Sequence, residues 1–263
     1  MNIYKETNIF LEQCFHILEA PIPSPVPMKL GNHLVLRYSI QSLETAIIQK
    51  QARYVSGLNA SLVLLERGYT QELGALFRTL DEFSEDIIFL ALPITGDIEI
   101  TETHTNYLKY FFQEEFDKSG NAFLSGQKRP TIPRKKIRAI ISKFSSEWLN
   151  QHDSQELSRT ISQAYSGYVH GASCHICEMV GGKPLKYYLS GMKGTYRQIE
   201  FANNYWDYAY RGLLSNIYVA KALGNTQIIE RTYKFIDYFE KATGETGSGD
   251  TDKLLRKMKQ KKA

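Results

Sequence analysis

The sequence has few cysteines, no long apolar run and no strong excess of charge. Three cysteines in 263 residues do not make a disulfide framework, which favours a reducing compartment. The longest apolar run, Ile87 to Leu92, is far shorter than the roughly 20 residues that a membrane helix needs. The segment MNIYKETNIFLEQCFHIL holds charges where a signal peptide needs an apolar core. We therefore expect a soluble, cytoplasmic protein without a membrane partner.

The formal net charge of +4 is concentrated at the C-terminal end. From Gly244 onward, six Lys or Arg stand against three acidic residues, a net of +3, which leaves +1 for the preceding body. This distribution does not predict a general polyanion-binding surface. For the basic run from Lys128 to Arg138 and for the tail, the favoured interpretation is a solvated segment. They are also where nucleic acid, or a protein partner of the tail, would make contact.

Apolar residues recur mainly at spacings of three and four, which predicts helices throughout. We predict an all-α fold, a multi-helix bundle over residues 29–243. An N-terminal helix and Pro-rich linker (1–28) precede it, and a flexible basic tail (244–263) follows. The predicted helices are Ile3–Glu19, His33–Arg67, Thr70–Leu92, Thr103–Phe116, Arg134–Leu149, one from Ser154 or Ser158 to Gly181, Arg197–Leu223 and Thr226–Thr243.

The most unusual stretch is YSGYVHGASCHICEMVGG, residues 165–182. Residues 160–177 contain no Asp, Glu, Lys or Arg, so we expect protein to surround this segment. On a continuous helix, one stripe holds Tyr168, His175 and Glu178, and a second stripe holds Arg159, His170, Cys174 and Cys177. The two histidines therefore point in different directions, and we do not expect them to act on the same atom.

Each feature of this segment has a structural and a functional interpretation. Gly167 and Gly171 favour close packing by another helix, with backbone exposed to a ligand as the alternative. His170, Cys174 and Cys177 could offer three soft ligands to zinc, but a fourth is missing. Cysteines buried as small apolar side chains are favoured, so we predict no metal and no cofactor.

The two histidines also have two interpretations each. His170 is either a buried, hydrogen-bonded histidine or a general acid or base, since imidazole titrates near neutral pH. His175 and Glu178, one turn apart, are expected to form a structural hydrogen-bonded pair, with ligand binding as the alternative.

Charged residues gather on one side of the helix after Thr70: Arg78, Asp81, Glu82, Glu85 and Asp86. A solvated face with an Arg78–Glu82 surface pair explains this pattern. Alternatively, Arg78 faces His170 across a helix contact. An arginine on a phosphate and a histidine on a ribose hydroxyl are the minimum for metal-independent RNA cleavage. The candidate catalytic residues are His170, Arg78 and Glu82, and the candidate binding residues are Tyr168, His175, Glu178 and Arg159.

Tyrosine and tryptophan cluster in the segment NNYWDYAYRG. Packing in the core, with each hydroxyl finding a partner, is the favoured role of Tyr205, Trp206, Tyr208 and Tyr210. The alternative is stacking on nucleic-acid bases.

Three segments carry a resemblance to known proteins: ERGYTQELGALFRTLDEFSEDIIFLAL, YSGYVHGASCHICEMVGGKP and NNYWDYAYRGLLS. Over about residues 40–225 the chain resembles a family of uncharacterised bacterial all-helical proteins, which is distantly similar to the HEPN superfamily. That likeness implies a HEPN-like core with extra helices, RNA or a nucleotide as ligand, a stress or phage-defence role, and homodimers.

HEPN RNases carry Arg, four to six intervening residues and then His on one helix. Here ten residues separate Arg159 from His170, which is about 16 Å along a helix. The resemblance therefore implies cleavage only if Arg78 or another arginine takes that place. The competing hypothesis is a non-enzymatic interaction module, whose polar centre fixes helix packing and whose tail recruits a partner.

Overall fold

The computed structural model describes residues 2–117, 122–145 and 165–247, and within these ranges nine α-helices form a bundle. The predicted all-α, multi-helix fold class is confirmed. The helices are α1 (Asn2–Glu19), α2 (Leu43–Arg67), α3 (Thr70–Ile94), α4 (Glu102–Phe112), α5 (Arg134–Ser145), α6 (Ser166–His170), α7 (Ser173–Cys177), α8 (Tyr196–Ala222) and α9 (Thr226–Thr243). Two small antiparallel strand pairs join β1 (Val26–Leu30) to β2 (His33–Arg37) and β3 (Val180–Gly181) to β4 (Lys186–Tyr187).

The long helices share one apolar core. α3 packs along α2, α8 packs against both, and α1 and α9 contact α8 and each other. α1 belongs to this core through Leu11, Cys14 and Leu18, all of them buried, although it precedes the proline-rich stretch. Over the described residues, no helix combines the length and hydropathy that crossing a bilayer requires.

The segment between α1 and α2 is a β-hairpin, so the helix predicted from His33 is wrong at its start. VPMKL pairs with HLVLR in antiparallel register, around a two-residue turn that begins with Gly31. Gly31 adopts a φ of 60°, in the left-handed region that favours glycine. α2 begins only at Leu43, where the Ser42 side chain accepts a hydrogen bond from the Thr45 N–H.

The central segment is not one helix, contrary to the prediction. Gly171, at a φ of 63°, ends α6 by donating its N–H to the Gly167 carbonyl, and the chain then forms α7 and β3. Four predictions lie wholly or partly outside the described residues: the end of the helix Arg134–Leu149, the helix start near Ser154 or Ser158, the candidate residue Arg159, and the tail from residue 248 onward.

The loop before α8 is anchored to the corner between α2 and α3. Gly68 ends α2 at a φ of 78°, and its carbonyl accepts a hydrogen bond from the Met192 N–H at 2.6 Å. A β-carbon at Gly68 would collide with the backbone of Lys193, and one at Gly191 would collide with the Arg67 carbonyl. Glycine at both positions therefore lets this loop approach and places the start of α8 beside the end of α2.

Candidate functional site

α6 and α7 rest on the first turns of α3. Tyr168 packs over Gly74, where an added β-carbon would lie 2.6 Å from the phenol ring. Gln71 donates through Nε2 to the carbonyl oxygen of His175 at 2.8 Å. The small size of Gly74 therefore determines where this segment docks.

Three candidate binding residues come together in the structure. The Tyr168 hydroxyl donates to Glu178 at 2.7 Å, and the ring centroids of Tyr168 and His175 are 4.3 Å apart in an edge-on contact. Arg197 of α8 lies 3.6 Å from the Glu178 carboxylate. Burial raises the pKa of the Tyr168 hydroxyl, and the Glu178 carboxylate raises it further.

These residues meet because two short helices fold against each other, and not because one helix aligns them. A β-carbon at Gly167 would collide with the His175 ring. The close packing predicted at Gly167 is thus made by a side chain of α7. At Gly171 the reason for glycine is the backbone turn, since an added β-carbon would meet only Ile176, at 3.7 Å.

Among the described residues, no hydrogen bond or ion pair joins His170 to the other two candidate catalytic residues, Arg78 and Glu82. Arg78 and Glu82 form the predicted pair on α3, with Nη2 and Oε1 2.8 Å apart. His170, the last residue of α6, is exposed. The prediction that His170 is buried is therefore wrong. The side chain stays in solvent because α6 ends at His170 and Gly171 turns the chain. The same exposure contradicts the expectation that protein surrounds the segment, since its small and uncharged polar side chains do not require burial.

The charged side of α3 is largely buried between helices, so a solvated face is the wrong interpretation. The Asp81 and Asp86 side chains are each 4% exposed. The basic partners come from three other helices. We call this set the α3 charge cluster; its members are Asp81, Glu85 and Asp86 with Lys50 of α2, Arg134 and Arg138 of α5, and Arg211 of α8.

Arg134 makes the most contacts in the α3 charge cluster. Its guanidinium donates to Glu85 at 2.7 Å, to Asp86 at 2.6 Å and to the Glu82 carbonyl at 3.0 Å. Burial by itself would lower the pKa of Arg134, but the carboxylates of Asp86 and Glu85 raise it above its usual value. Part of the basic run is thus committed to packing inside the protein and is not available to a polyanion.

A cleft of about 260 Å³ opens beside Asp81, between α3 and α8. Arg211 donates to Asp81 at 2.6 Å, and the Tyr208 hydroxyl donates to it at 3.3 Å. Burial raises the pKa of Asp81 from 3.8 to about 6, against the lowering effect of Arg211. The cleft is lined by Asp81, Ser84, Glu85, Ile88, Arg211, Leu214, Ser215 and Tyr218.

Asp81 is expected to make the fold less stable as pH rises from about 4 to 6. Its carboxyl binds a proton more tightly in the folded state, so its contribution is complete below the unfolded pKa of 3.8 and is lost as pH rises through about 6. That interval corresponds to roughly 3 kcal/mol. Urea unfolding of wild type and Asp81→Asn at pH 4, 5, 6 and 7 measures it. Between pH 4 and pH 7, the free energy of unfolding of wild type should fall by roughly 3 kcal/mol more than that of Asp81→Asn.

The matched control is Asp207→Asn, because Asp207 is exposed on α8. This variant shows what loss of one solvent-exposed carboxylate does to the unfolding curve at each pH. If the difference between wild type and Asp81→Asn is the same at all four pH values, burial does not perturb the Asp81 carboxyl.

The tyrosines and tryptophan of α8 lie in the core, as predicted. Tyr205, Trp206, Tyr208 and Tyr210 are all at most 7% exposed. The Trp206 indole donates to Thr243 at 2.9 Å, and the Tyr205 hydroxyl donates to the Leu58 carbonyl at 3.1 Å. Burial removes these rings from any stacking on bases.

Cys174 and Cys177 are exposed, so the prediction that they are buried as small apolar side chains is wrong, whereas Cys14 is buried. The Cys174 sulfur lies 3.1 Å from Nδ1 of His175. Within the described ranges, no group of three or more His, Cys, Asp or Glu side chains is arranged to hold a metal ion. Gly171 breaks the helix that would have aligned His170 with the two cysteines.

A second cleft, of about 340 Å³, lies between α7, the β3–β4 pair and the start of α8. Its lining includes Cys177, Glu178, Tyr188, Met192 and Arg197. Six large apolar side chains between residues 176 and 199 are exposed, and one of them, Tyr196, lines the cleft. We call them the apolar face; its members are Ile176, Leu185, Tyr187, Leu189, Tyr196 and Ile199.

The sequence does not predict the apolar face because four of its members lie in short elements or loops without helical periodicity, while Tyr196 and Ile199 stand at the exposed start of α8. Leu185, Leu189 and Tyr196 are 77%, 78% and 73% exposed. The only available signal was the presence of large apolar residues in a glycine-rich connection. Such residues are ordinarily assigned to the core, so their exposure became visible only in the structure.

No family model matches the chain, and no curated protein or solved structure matches it either. The function is therefore inferred from the two clefts, the α3 charge cluster and the exposed segment described above.

Proposed function

We propose that the chain is a non-enzymatic helical interaction protein that binds an apolar segment of a partner protein on its apolar face. The observation that supports this function is a contrast. The buried charges of α3 are paired with charges on other helices, whereas large apolar side chains between residues 176 and 199 are left in solvent. Large exposed apolar surfaces commonly mark sites of protein–protein interaction.

The second cleft supplies the anchor point for such a partner. Its volume of about 340 Å³ suits one or two apolar side chains, and interface hot spots are commonly side chains that fill a pocket of this kind. Glu178 and Arg197 in its wall would satisfy polar groups of the partner's backbone. Burying one exposed leucine contributes about 1.5–3 kcal/mol, so Leu185 and Leu189 together would contribute a substantial part of a micromolar affinity.

The α3 charge cluster stabilises the packing of helices against one another. It joins α3 to α2, α5 and α8, and most of its ionised side chains are less than a quarter exposed. Arg78 lies next to the cluster but is bonded to Glu82, and its Nη1 atom is buried. A guanidinium held in this way is poorly placed to bind a phosphate from solvent.

Site-specific photocross-linking in cells that express the protein tests the interaction. With p-benzoylphenylalanine at Leu189, we expect one discrete adduct with another protein, which is lost when Leu185→Ser and Tyr196→Ser are added. The matched control places the cross-linker at Val63, which is 60% exposed on α2. Equal labelling at positions 189 and 63, or none at 189, would contradict the proposal. An adduct of twice the chain's mass would assign the face to a homodimer.

RNA cleavage is the second candidate, and one observation favours it. α6, which ends at the exposed His170, rests on α3 at Gly74, one helical turn before Arg78. In this reaction His170 would accept the proton of a ribose 2′-hydroxyl, while Arg78 binds the phosphate. The chain would then have the RNase activity and the stress or phage-defence role that the HEPN resemblance implies.

The two candidates give opposite results with single-stranded RNA in the presence of a chelator. If the chain is an RNase, wild type cleaves it, and His170→Ala abolishes cleavage without changing the free energy of unfolding. His33→Ala, at another exposed histidine, should leave cleavage unchanged. Absence of cleavage by wild type excludes this candidate and leaves the interaction proposal standing.

A further inference from the structure

We propose that Cys174 and Cys177 form a dithiol that exchanges with disulfides and ends as an intramolecular Cys174–Cys177 disulfide. Both side chains are exposed free thiols, whereas the third cysteine, Cys14, is fully buried. The substrate class is an accessible disulfide, for which oxidised glutathione is the simplest probe. Cys177 also lines the second cleft, but the exchange needs only an accessible disulfide and does not depend on a partner bound there.

The positions of the two cysteines suit an internal disulfide. They stand three residues apart on α7, a spacing that places their β-carbons about 5–6 Å apart on a helix. A disulfide needs a β-carbon separation of about 3.5–4.5 Å, so a modest local closing movement is required. α7 has five residues and none of them is buried, so core packing does not oppose that movement.

His175 distinguishes Cys174 from Cys177 as the attacking thiol. Its Nδ1 lies 3.1 Å from the Cys174 sulfur, within reach to accept the thiol proton, and the thiolate is the nucleophilic form. The imidazole is held in place by the edge-on Tyr168 ring and by close packing over Gly167, and its backbone carbonyl is bonded to Gln71. Cys177 then acts as the resolving thiol.

The reaction has two exchange steps. The Cys174 thiolate attacks one sulfur of the substrate disulfide, the bond between the two substrate sulfurs breaks, and one substrate thiolate leaves. The Cys177 thiolate then attacks the Cys174 sulfur, forms the internal disulfide and releases the second substrate thiolate. The protein dithiol loses two electrons, and the substrate disulfide gains them. The two protons of the cysteines end on the two released thiols.

Mass spectrometry of the full chain in glutathione redox buffers tests the exchange. After acid quenching and alkylation, the peptide with Cys174 and Cys177 should carry two alkyl groups in a reducing buffer. In an oxidising buffer it should carry none and be two mass units lighter than the unmodified dithiol peptide, while Cys14 remains alkylated. In oxidised glutathione, Cys177→Ser should accumulate the Cys174–glutathione mixed disulfide. Cys174→Ser should form its mixed disulfide, at Cys177, about tenfold more slowly than Cys177→Ser does at Cys174.

Two further results decide the outcome. His175→Gln should slow mixed-disulfide formation of Cys177→Ser at pH 7 by about tenfold and change its pH profile, with an unchanged circular dichroism spectrum. Equal reaction rates of Cys174 and Cys177, or failure of the internal disulfide to form in oxidised glutathione alone, would overturn the proposal.

Discussion

Replacement of Arg134 by Met is expected to lower the free energy of unfolding by about 3–5 kcal/mol, the cost of removing one partner from a buried ion pair. The change removes the donors to Glu85 and to Asp86, whose side chain is only 4% exposed. Within the part of the chain that the structure describes, Asp86 keeps Lys50 and the Tyr107 hydroxyl as partners, but Glu85 keeps only Arg138. Urea unfolding at pH 7, followed by far-ultraviolet circular dichroism, measures the loss.

The matched control is Arg129→Met. Arg129 belongs to the same basic run, but its partner Glu115 is 62% exposed, so the change should cost about 0–1 kcal/mol. If Arg134→Met costs no more than this control, the α3 charge cluster does not hold α5 against α3. The interaction proposal would then lose its structural explanation for the buried charges.

Phe77→Ala is expected to cost about 3–5 kcal/mol, because it opens a cavity in the contact between α3 and α8. Phe77 is fully buried, and its ring stacks on Tyr208 with the centroids 3.9 Å apart. The same ring meets Tyr165 edge-on at 5.6 Å, directly before α6. We therefore also expect faster amide hydrogen exchange in residues 165–177, measured on the variant together with its unfolding curve.

Two variants serve as controls for this prediction. Phe116→Ala removes a ring that is 45% exposed and should cost less than about 1 kcal/mol. Phe77→Leu retains most of the apolar volume and should cost about 1.5 kcal/mol. A loss below 1 kcal/mol for Phe77→Ala would mean that this aromatic contact does not join α3 to α8.

The long helices were predictable because their signals are local. α9 occupies Thr226–Thr243, as predicted, with Asn225 as its N-terminal cap and Gly244 in the left-handed conformation at its end. α1 differs from the prediction by one residue at its start. In both helices the apolar spacing and the terminal residues indicate the same boundaries.

Two segments were predicted wrongly because short-range signals conflict there. In the residues before α2, HLVLR continues the helical spacing of the following residues, and it forms a strand because it pairs with VPMKL. In the central segment, the glycines permit either a helix or a turn. Packing of Tyr168 over Gly74 accompanies the turn at Gly171.

The candidate site was predictable to a similar extent. The Arg78–Glu82 pair follows from a spacing of four on one helix, and the structure contains it. Tyr168, His175 and Glu178 were grouped correctly, although two helices rather than one bring them together. A contact between His170 and Arg78 depends on how α6 docks, which local spacing does not specify.

The sequence by itself determined the all-α class, most helix boundaries and the pairs within single helices, because these depend on residues three or four positions apart. Only the tertiary structure decided that the charges of α3 are buried. Asp86 is bonded to an arginine 48 residues away and Asp81 to one 130 residues away. Likewise, the exposure of Cys174, Leu185 and Leu189 depends on which surfaces distant helices cover. No local pattern encodes that arrangement.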